Sequence, residues 1–535
     1  MTCTDITMVM GSMGTHNNFP TTQNYNYQTL FLVLCGLAIP FNVFAFDWRL
    51  RPSLSMSEMF SDNLELSENA KKSGFVSEVA PGISMQGSSP WSNLNLNYRL
   101  QGLYNAGGRD AVDINHQLQF NSLYQALRNT LFLQTSSSIS QQNSSNSFIS
   151  TDNLTGNSGR IESRNYTISP YWTPRFGQYA SGLFKVGYTK SSFDNANSSV
   201  DNSSTLAISD SESFLKQANL SSGSKFNSVK WNIGYSSNEQ SRVSGNDVLF
   251  EQYSGDARYY INRKYSVFFQ GGYENNDYQT LNDSISNGYF YTFGGQWSPS
   301  QYYSLEAGYG NNKHVTVRYN PSTNLTSHVT YRNKDVGLNT GDSWDANLTY
   351  RLQQGSINFT YSQETTTVQN QLLDYTGQFN VFDQTNNDPL NPLLNLNSAN
   401  FVDSVLINKN ARLSFRYATG KSTYNASVYN TRRTYELSVI DQQDDVYGAT
   451  AGWQWQFQPR INFYLQPTWQ SVDNSSSSNT RYDVALGLSR AIPINLGRPL
   501  TMNTRIEFRH INQKSDLSTN EYMENRATAN FAVIF

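Results

Sequence analysis

Arginines recur two or four positions apart in this chain: Arg49 and Arg51, Arg412 and Arg416, Arg505 and Arg509. In extended backbone such residues share one face, because side chains alternate sides. Guanidinium groups gathered there can grip carboxylates through paired N–H donors, and rings of them around a pore favour anions. Arg99, Lys185, Arg258, Lys264, Arg318, Arg351 and Arg526 fall on the same parity of neighbouring segments. The acids on that face are fewer: Asp47, Glu78, Asp256, Glu274, Glu306 and Glu507. Two readings stay open at this point. Either these bases select anions in a lumen, or they pair with the acids and with loops and stiffen a wide wall.

Other chemistry has little footing. His16, His116, His314, His328 and His510 show no metal-ligand spacing, and His116 and His510 fall on the lipid-facing parity near segment ends. No P-loop, dinucleotide-binding, zinc or nucleophile-elbow pattern occurs. Cys3 and Cys35 are the only cysteines, and both precede the expected mature start, which leaves the mature chain without disulfide or thiol chemistry. A catalytic group built on His510 with a nearby Ser or Asp is the enzyme reading. The expectation is no enzyme, no cofactor and no metal.

The backbone that would position such a face is β throughout. Aromatic residues make up 14% of the 535 positions and charged ones only 15%, against a usual ~25% charged. Mean hydropathy is nevertheless −0.56, since Asn, Ser, Gln and Thr fill the remaining positions. A disordered chain would not carry 34 Tyr, 30 Phe and 9 Trp. No run of about 20 apolar residues marks a membrane helix. The net charge of −3, with no basic run, argues against nucleic acid as a partner.

Alternation runs along the whole chain after residue 45. Leu94, Leu96, Tyr98 and Leu100 oppose Asn93, Asn95, Asn97 and Arg99; Val229, Trp231, Ile233 and Tyr235 repeat the pattern, as do Ile461, Phe463, Leu465 and Trp469. The segments are about 10–13 residues long, enough for a tilted strand to cross a bilayer, whereas strands of soluble sandwiches run nearer 5–6. The expected strands are 46–58, 75–86, 93–106, 113–124, 130–141, 160–173, 178–190 and 204–219, then 226–237, 247–261, 264–275, 286–297, 301–310, 313–321, 326–334 and 343–353, then 355–367, 407–418, 422–433, 444–458, 461–472, 480–490, 500–511 and 525–535. Those at 204–219, 313–321 and 326–334 alternate least. Tight turns at 262–263, 298–300, 419–421 and 459–460 alternate with long connections rich in Asn, Asp and Ser. Only the connection near 311–312 breaks that rule. The fold class is therefore all-β: one transmembrane antiparallel barrel of about 24 strands (22–26), with both termini in the periplasm. The connection 368–406 holds Leu372, Leu373, Phe379, Val381, Phe382, Leu390, Leu393, Leu394 and Leu396. So apolar a segment is expected to fold into the barrel mouth as a constriction, or else to pack on neighbouring loops or a partner.

Both ends carry sorting signals. The apolar run 30–39 followed by Val43-Phe44-Ala45 reads as a signal peptide over 1–45, although no Lys or Arg precedes Arg49. At the other end Phe531, Val533 and Phe535 share one face of the last strand, with Arg526, Thr528 and Asn530 on the other. A terminal aromatic on an alternating strand is expected to be the signal read by the barrel-insertion machinery, since that edge must pair before it meets lipid. With the first strand starting at Phe46, no plug is expected ahead of it.

The stretches SMSEMFSDNLELS, FVSEVAPGIS, GDARYYINRKYSVFFQGGYENNDY, YSQETTT and ENRATANFAVIF resemble the β-barrel porins associated with PEP-CTERM and exopolysaccharide systems. The resemblance runs over most of the mature chain and rests on strand patterns, with no chemical signature. It implies the outer membrane of a Gram-negative bacterium, lipid around the wall, periplasmic polysaccharide-export components as partners, and a link to surface polymer or protein sorting. The functional expectation is a channel for small polar or anionic solutes or for surface polysaccharide. The alternative is a non-conducting barrel that anchors or helps assemble surface proteins.

Overall fold

The computed structural model of the protein describes residues 47–535 except 108–111, 144–153, 156–159, 196–207, 244, 279–284, 372–403, 437–441, 476, 496 and 498. The expected signal peptide and most of the connection 368–406 lie outside the described residues.

The described chain forms one closed antiparallel barrel of 24 strands. The first eight are β1 (Asp47–Ser61), β2 (Gly74–Ser89), β3 (Ser92–Ala106), β4 (Val112–Leu127), β5 (Leu131–Asn143), β6 (Arg160–Trp172), β7 (Ala180–Asn195) and β8 (Ser211–Ser222). The middle third is β9 (Val229–Arg242), β10 (Val248–Tyr260), β11 (Tyr265–Asp277), β12 (Gly288–Ser300), β13 (Tyr303–Gly310), β14 (Asn312–Ser322), β15 (Leu325–Lys334) and β16 (Gly341–Leu352). The last third is β17 (Gly355–Thr367), β18 (Val405–Ala418), β19 (Ser422–Glu436), β20 (Gln442–Gln458), β21 (Ile461–Asp473), β22 (Ser478–Asn495), β23 (Pro499–Ser515) and β24 (Tyr522–Ile534). Each strand pairs with its sequence neighbours. β24 closes the wall on β1, with Val533 opposite Leu54 and Phe531 opposite Met56, and the Phe535 N–H donates to the Pro52 carbonyl at 2.7 Å.

Every expected segment overlaps a strand, and the largest boundary correction is at 204–219. The ladder there starts only at Ser211, because the Asp210 carboxylate accepts the Phe193 N–H at 2.9 Å where another strand residue would offer its carbonyl. The break near 311–312 is real. β13 and β14 are joined by Asn311 alone, on the side of the long loops. Its side-chain oxygen accepts the Tyr291 N–H at 2.7 Å, and its amide donates to the Tyr289 carbonyl at 2.8 Å. One side chain thus pairs the edge of β12 where the shortened β13 has stopped, so these backbone groups are not left without partners. Above this hairpin Ile285–Ser286 and Gly337–Leu338 pair as a separate two-stranded ladder.

Alternation sorts the two faces. Outward positions hold exposed aromatic and aliphatic side chains, among them Trp48, Phe269, Tyr291, Phe293, Trp344, Leu488 and Ile506. Cross-strand ring contacts tie this belt together, as in Trp172 with Phe184 (5.4 Å) and Trp453 with Phe463 (5.7 Å). An apolar exterior of that extent belongs in lipid, not in water, and only a closed wall leaves no backbone group unpaired there. The protein is an outer-membrane barrel. Short turns such as 90–91, 323–324 and 353–354 lie on the side of both described ends, which is the periplasmic side. At the opposite end the connections fold inward. Leu64 packs with Met59, Val76 and Leu103, with Leu154 laid against them; Leu66 packs with Ile511 and Tyr522; Tyr278 packs with Val248 and Val405.

Candidate functional site

The lumen face is the candidate site, and strand parity builds it. Exposed Phe184 and Val186 flank Lys185 on β7, exposed Leu413 and Phe415 flank Arg412, Ser414 and Arg416 on β18, and Ile506 and Phe508 flank Glu507 on β23. Each of these polar residues therefore points inward. Of the thirteen bases expected on this face, Lys264 lies in the turn before β11 and not on the wall. Arg49, Arg51, Arg99, Lys185, Arg258, Arg318, Arg351, Arg412, Arg416, Arg505, Arg509 and Arg526 occupy inward strand positions. They divide into two groups.

The first group is tied up in the wall. Arg99 is buried and pairs with buried Glu78, which also accepts the Gln101 amide at 3.0 Å. Arg258 pairs with Glu306 at 2.8 Å, donates to Gln296 at 2.6 Å, and lies over the Phe268 ring. His314 meets the other Glu306 oxygen at 3.2 Å. Around Glu507 the arrangement is denser. Arg505 pairs with one of its oxygens, the Tyr464 hydroxyl donates to the same oxygen at 2.6 Å, and Arg509 reaches the other at 3.1 Å. Asp483 joins Arg481 (2.8 Å) to Arg509 (3.6 Å). Their hydrogen bonds are charge-assisted, and, the partly exposed Arg505 apart, these groups are largely shielded from water and hard to replace. They stiffen the wall.

The second group holds bases outside these acid clusters. Among the described residues no carboxylate lies within ion-pair distance of Arg51, Lys185, Arg351 or Arg416. Arg351 and Arg416 sit on one row, each opposite Ser356 of the strand between them, hence roughly 10 Å apart at two strand spacings. Arg412 stands over the Tyr429 ring at 5.3 Å. Arg49 meets Asp47 at 3.3 Å with both side chains largely exposed, a contact worth little in water. Pairing with acids thus accounts for the first group, whereas Arg51, Lys185, Arg351 and Arg416 have no such partner among the described residues.

Several participants escape the sequence. Lys230 lies directly opposite Arg258 on the inward face, a like-charge pairing that costs stability. Arg481, Asp483 and Tyr464 complete the Glu507 group, and Arg433, Tyr435 and Asp444 form a buried polar set beside the extracellular rim. Their parity was available, since Tyr482, Val484 and Leu486 frame Arg481 and Asp483. Of the histidines, His116 and His510 face outward, held by Tyr98 (2.8 Å) and Asn525 (2.7 Å). Among the described residues no set of three or more His, Cys, Asp or Glu is grouped to hold a metal. Phe531 and Val533 sit on the outward face of the closing strand.

No family model and no curated relative matches the chain. Solved outer-membrane barrels do. The siderophore receptor PirA from Acinetobacter baumannii is 8% identical over 91% of this chain and 80% of its own, with a TM-score of 0.44. The FrpB iron transporter from Neisseria meningitidis is 10% identical over 90% and 81%, with a TM-score of 0.43. OccK2 from Pseudomonas aeruginosa, solved in complex with glucuronate, is 9% identical over 91% and 98%, with a TM-score of 0.33. These are likenesses of a strand wall, at identities where side chains do not correspond.

Proposed function

We propose that the barrel is a porin-like channel that passes small polar solutes and favours anions through Arg51, Lys185, Arg351 and Arg416. The observation that carries this reading is the lack of carboxylate partners for these four inward bases, while their neighbours around Glu507 and Glu306 are neutralised. Barrels of about 16–18 strands already leave an aqueous channel, and 24 strands enclose more. Two finer points belong to the same proposal. The apolar connection 368–406 narrows the mouth, and the cargo includes surface polysaccharide, as the resemblance to exopolysaccharide-associated porins implies. Planar-bilayer recording tests the channel. Single openings are expected from the full chain, with larger steps after deletion of 372–398. A silent bilayer would favour the anchoring barrel, and unchanged steps would reject the constriction. Unaltered surface polysaccharide in a deletion strain would reject the polymer as cargo.

A further inference from the structure

The barrel's charges are separated along its axis. In the strand halves next to the short turns, Arg51, Arg318, Arg351 and Arg416 are exposed on the inward face, with Lys185 and Lys230 half-buried beside them. The turns below add exposed Arg128, Arg175, Arg263, Lys264, Lys421 and Arg460. Among the described residues the carboxylates of these halves are Asp47, Asp256, Glu306 and Glu507, and three of the four are engaged by Arg49, Arg258 and Arg505. Towards the extracellular rim the balance reverses. Exposed acids such as Glu58, Glu68 and Asp516 accumulate there beside the ion pairs of Asp194 with Arg164 and Glu212 with Lys190, and the inward bases Arg99, Arg433, Arg481 and Arg526 are buried. Folding alone does not call for this arrangement. An arginine that stiffens a wall is buried and paired, as Arg99 is, whereas these are exposed, and Lys230 sits against Arg258 with a carbonyl as its acceptor at 3.4 Å.

From this we infer that the periplasmic end of the lumen is a binding vestibule for linear polyanions, loaded from the periplasmic side. The inference rests on the channel reading and adds a substrate class and a direction. Each exposed base binds a single anion weakly, because water screens it. A flexible chain of anions meets several bases at once, and its first contact makes the next intramolecular, so weak contacts multiply. The apolar wall behind them concentrates the field in the lumen. The acidic outer rim repels the same chain, which makes the site one-sided. A folded acidic protein could reach the turns but not Arg351 or Arg416 on the inner wall, and that favours a strand-like ligand.

The test applies dextran sulfate to either side of bilayers holding the full chain. Orientation is set by a thiol reagent at Gly420→Cys, a turn position with open space around it. Block of the current is expected at concentrations at least tenfold lower from the periplasmic side, with uncharged dextran inert. The triple variant Arg51→Gln, Arg351→Gln, Arg416→Gln should lose that difference while keeping the gel mobility of a closed barrel. Binding of labelled dextran sulfate to the barrel in detergent, weakened at least tenfold by the triple variant, reads the same site without any current. Equal block from both sides, or binding unchanged in the triple variant, overturns the vestibule. Binding that depends only on Arg128, Arg175, Lys421 and Arg460 also overturns it, in favour of a protein docked on the turns. Binding without current refutes the channel and leaves the vestibule standing.

Discussion

Deleting residues 531–535 should leave no closed barrel, whereas Phe535→Ala should still refold in detergent. The deletion strips the partners from Ser53, Leu54, Ser55 and Met56 on β1 and removes the pairing of Met502, Asn503 and Thr504 with the same segment of β24. Backbone groups on two edges would then meet lipid unpaired, at several kcal/mol each. Phe535→Ala removes only a ring. The backbone bond from residue 535 to Pro52 survives it, as do the pairings of Phe531 and Val533. Heat-dependent mobility in a gel reads closure in vitro, and outer-membrane content reads assembly in cells. Near-native refolding with poor cellular assembly would mark the terminal aromatic as a signal read by the insertion machinery. A closed barrel formed by the deletion would contradict the closure seen between β24 and β1.

The second large effect is expected at Glu507. Its carboxylate is 7% exposed and serves Arg505, Arg509 and the fully buried Tyr464 hydroxyl together. Glu507→Leu would take the acceptor from the hydroxyl and leave Arg509 with only the longer contact to Asp483 of its two carboxylates. Breaking a buried pair on one side costs about 3–5 kcal/mol, and the lower end applies here because the Arg505 side chain is 36% exposed and water repairs part of its loss. Glu507→Gln keeps an acceptor oxygen and should cost less. The midpoint of urea unfolding in lipid vesicles measures both. A Glu507→Leu barrel as stable as the native one would mean that this group does not hold β21, β22 and β23 together.

The sequence revealed faces far better than partners. Period two places Arg505, Glu507 and Arg509 on one side of β23 whatever surrounds them, because alternation is a property of a single strand. That Tyr464 meets Glu507 depends on the register of β21 and β22, which turns and loops set, and nothing in the alternation of 461–472 marks Tyr464. The same limit explains why bases that stiffen and bases that stay free were indistinguishable in sequence. Arg99 and Arg351 look alike until Glu78 is found beside one and only Ser356 beside the other. The hairpin at Asn311 shows the complementary case. Its irregular spacing was visible, but the side chain that makes it tolerable acts on Tyr289 and Tyr291, about twenty residues away. Leu64 and Leu66 sit in a polar connection and read as loop residues, yet they line the packed outer mouth.

The separation of free from neutralised bases leads to one quantity, the ion preference of the open channel. Single-channel reversal potentials in a potassium chloride gradient measure it directly. The predicted result is a reversal on the chloride side of zero, moved towards potassium by Arg351→Glu with Arg416→Glu. A native channel that reverses on the potassium side, or a double variant that leaves the potential unmoved, would contradict the assignment of these bases to the pore.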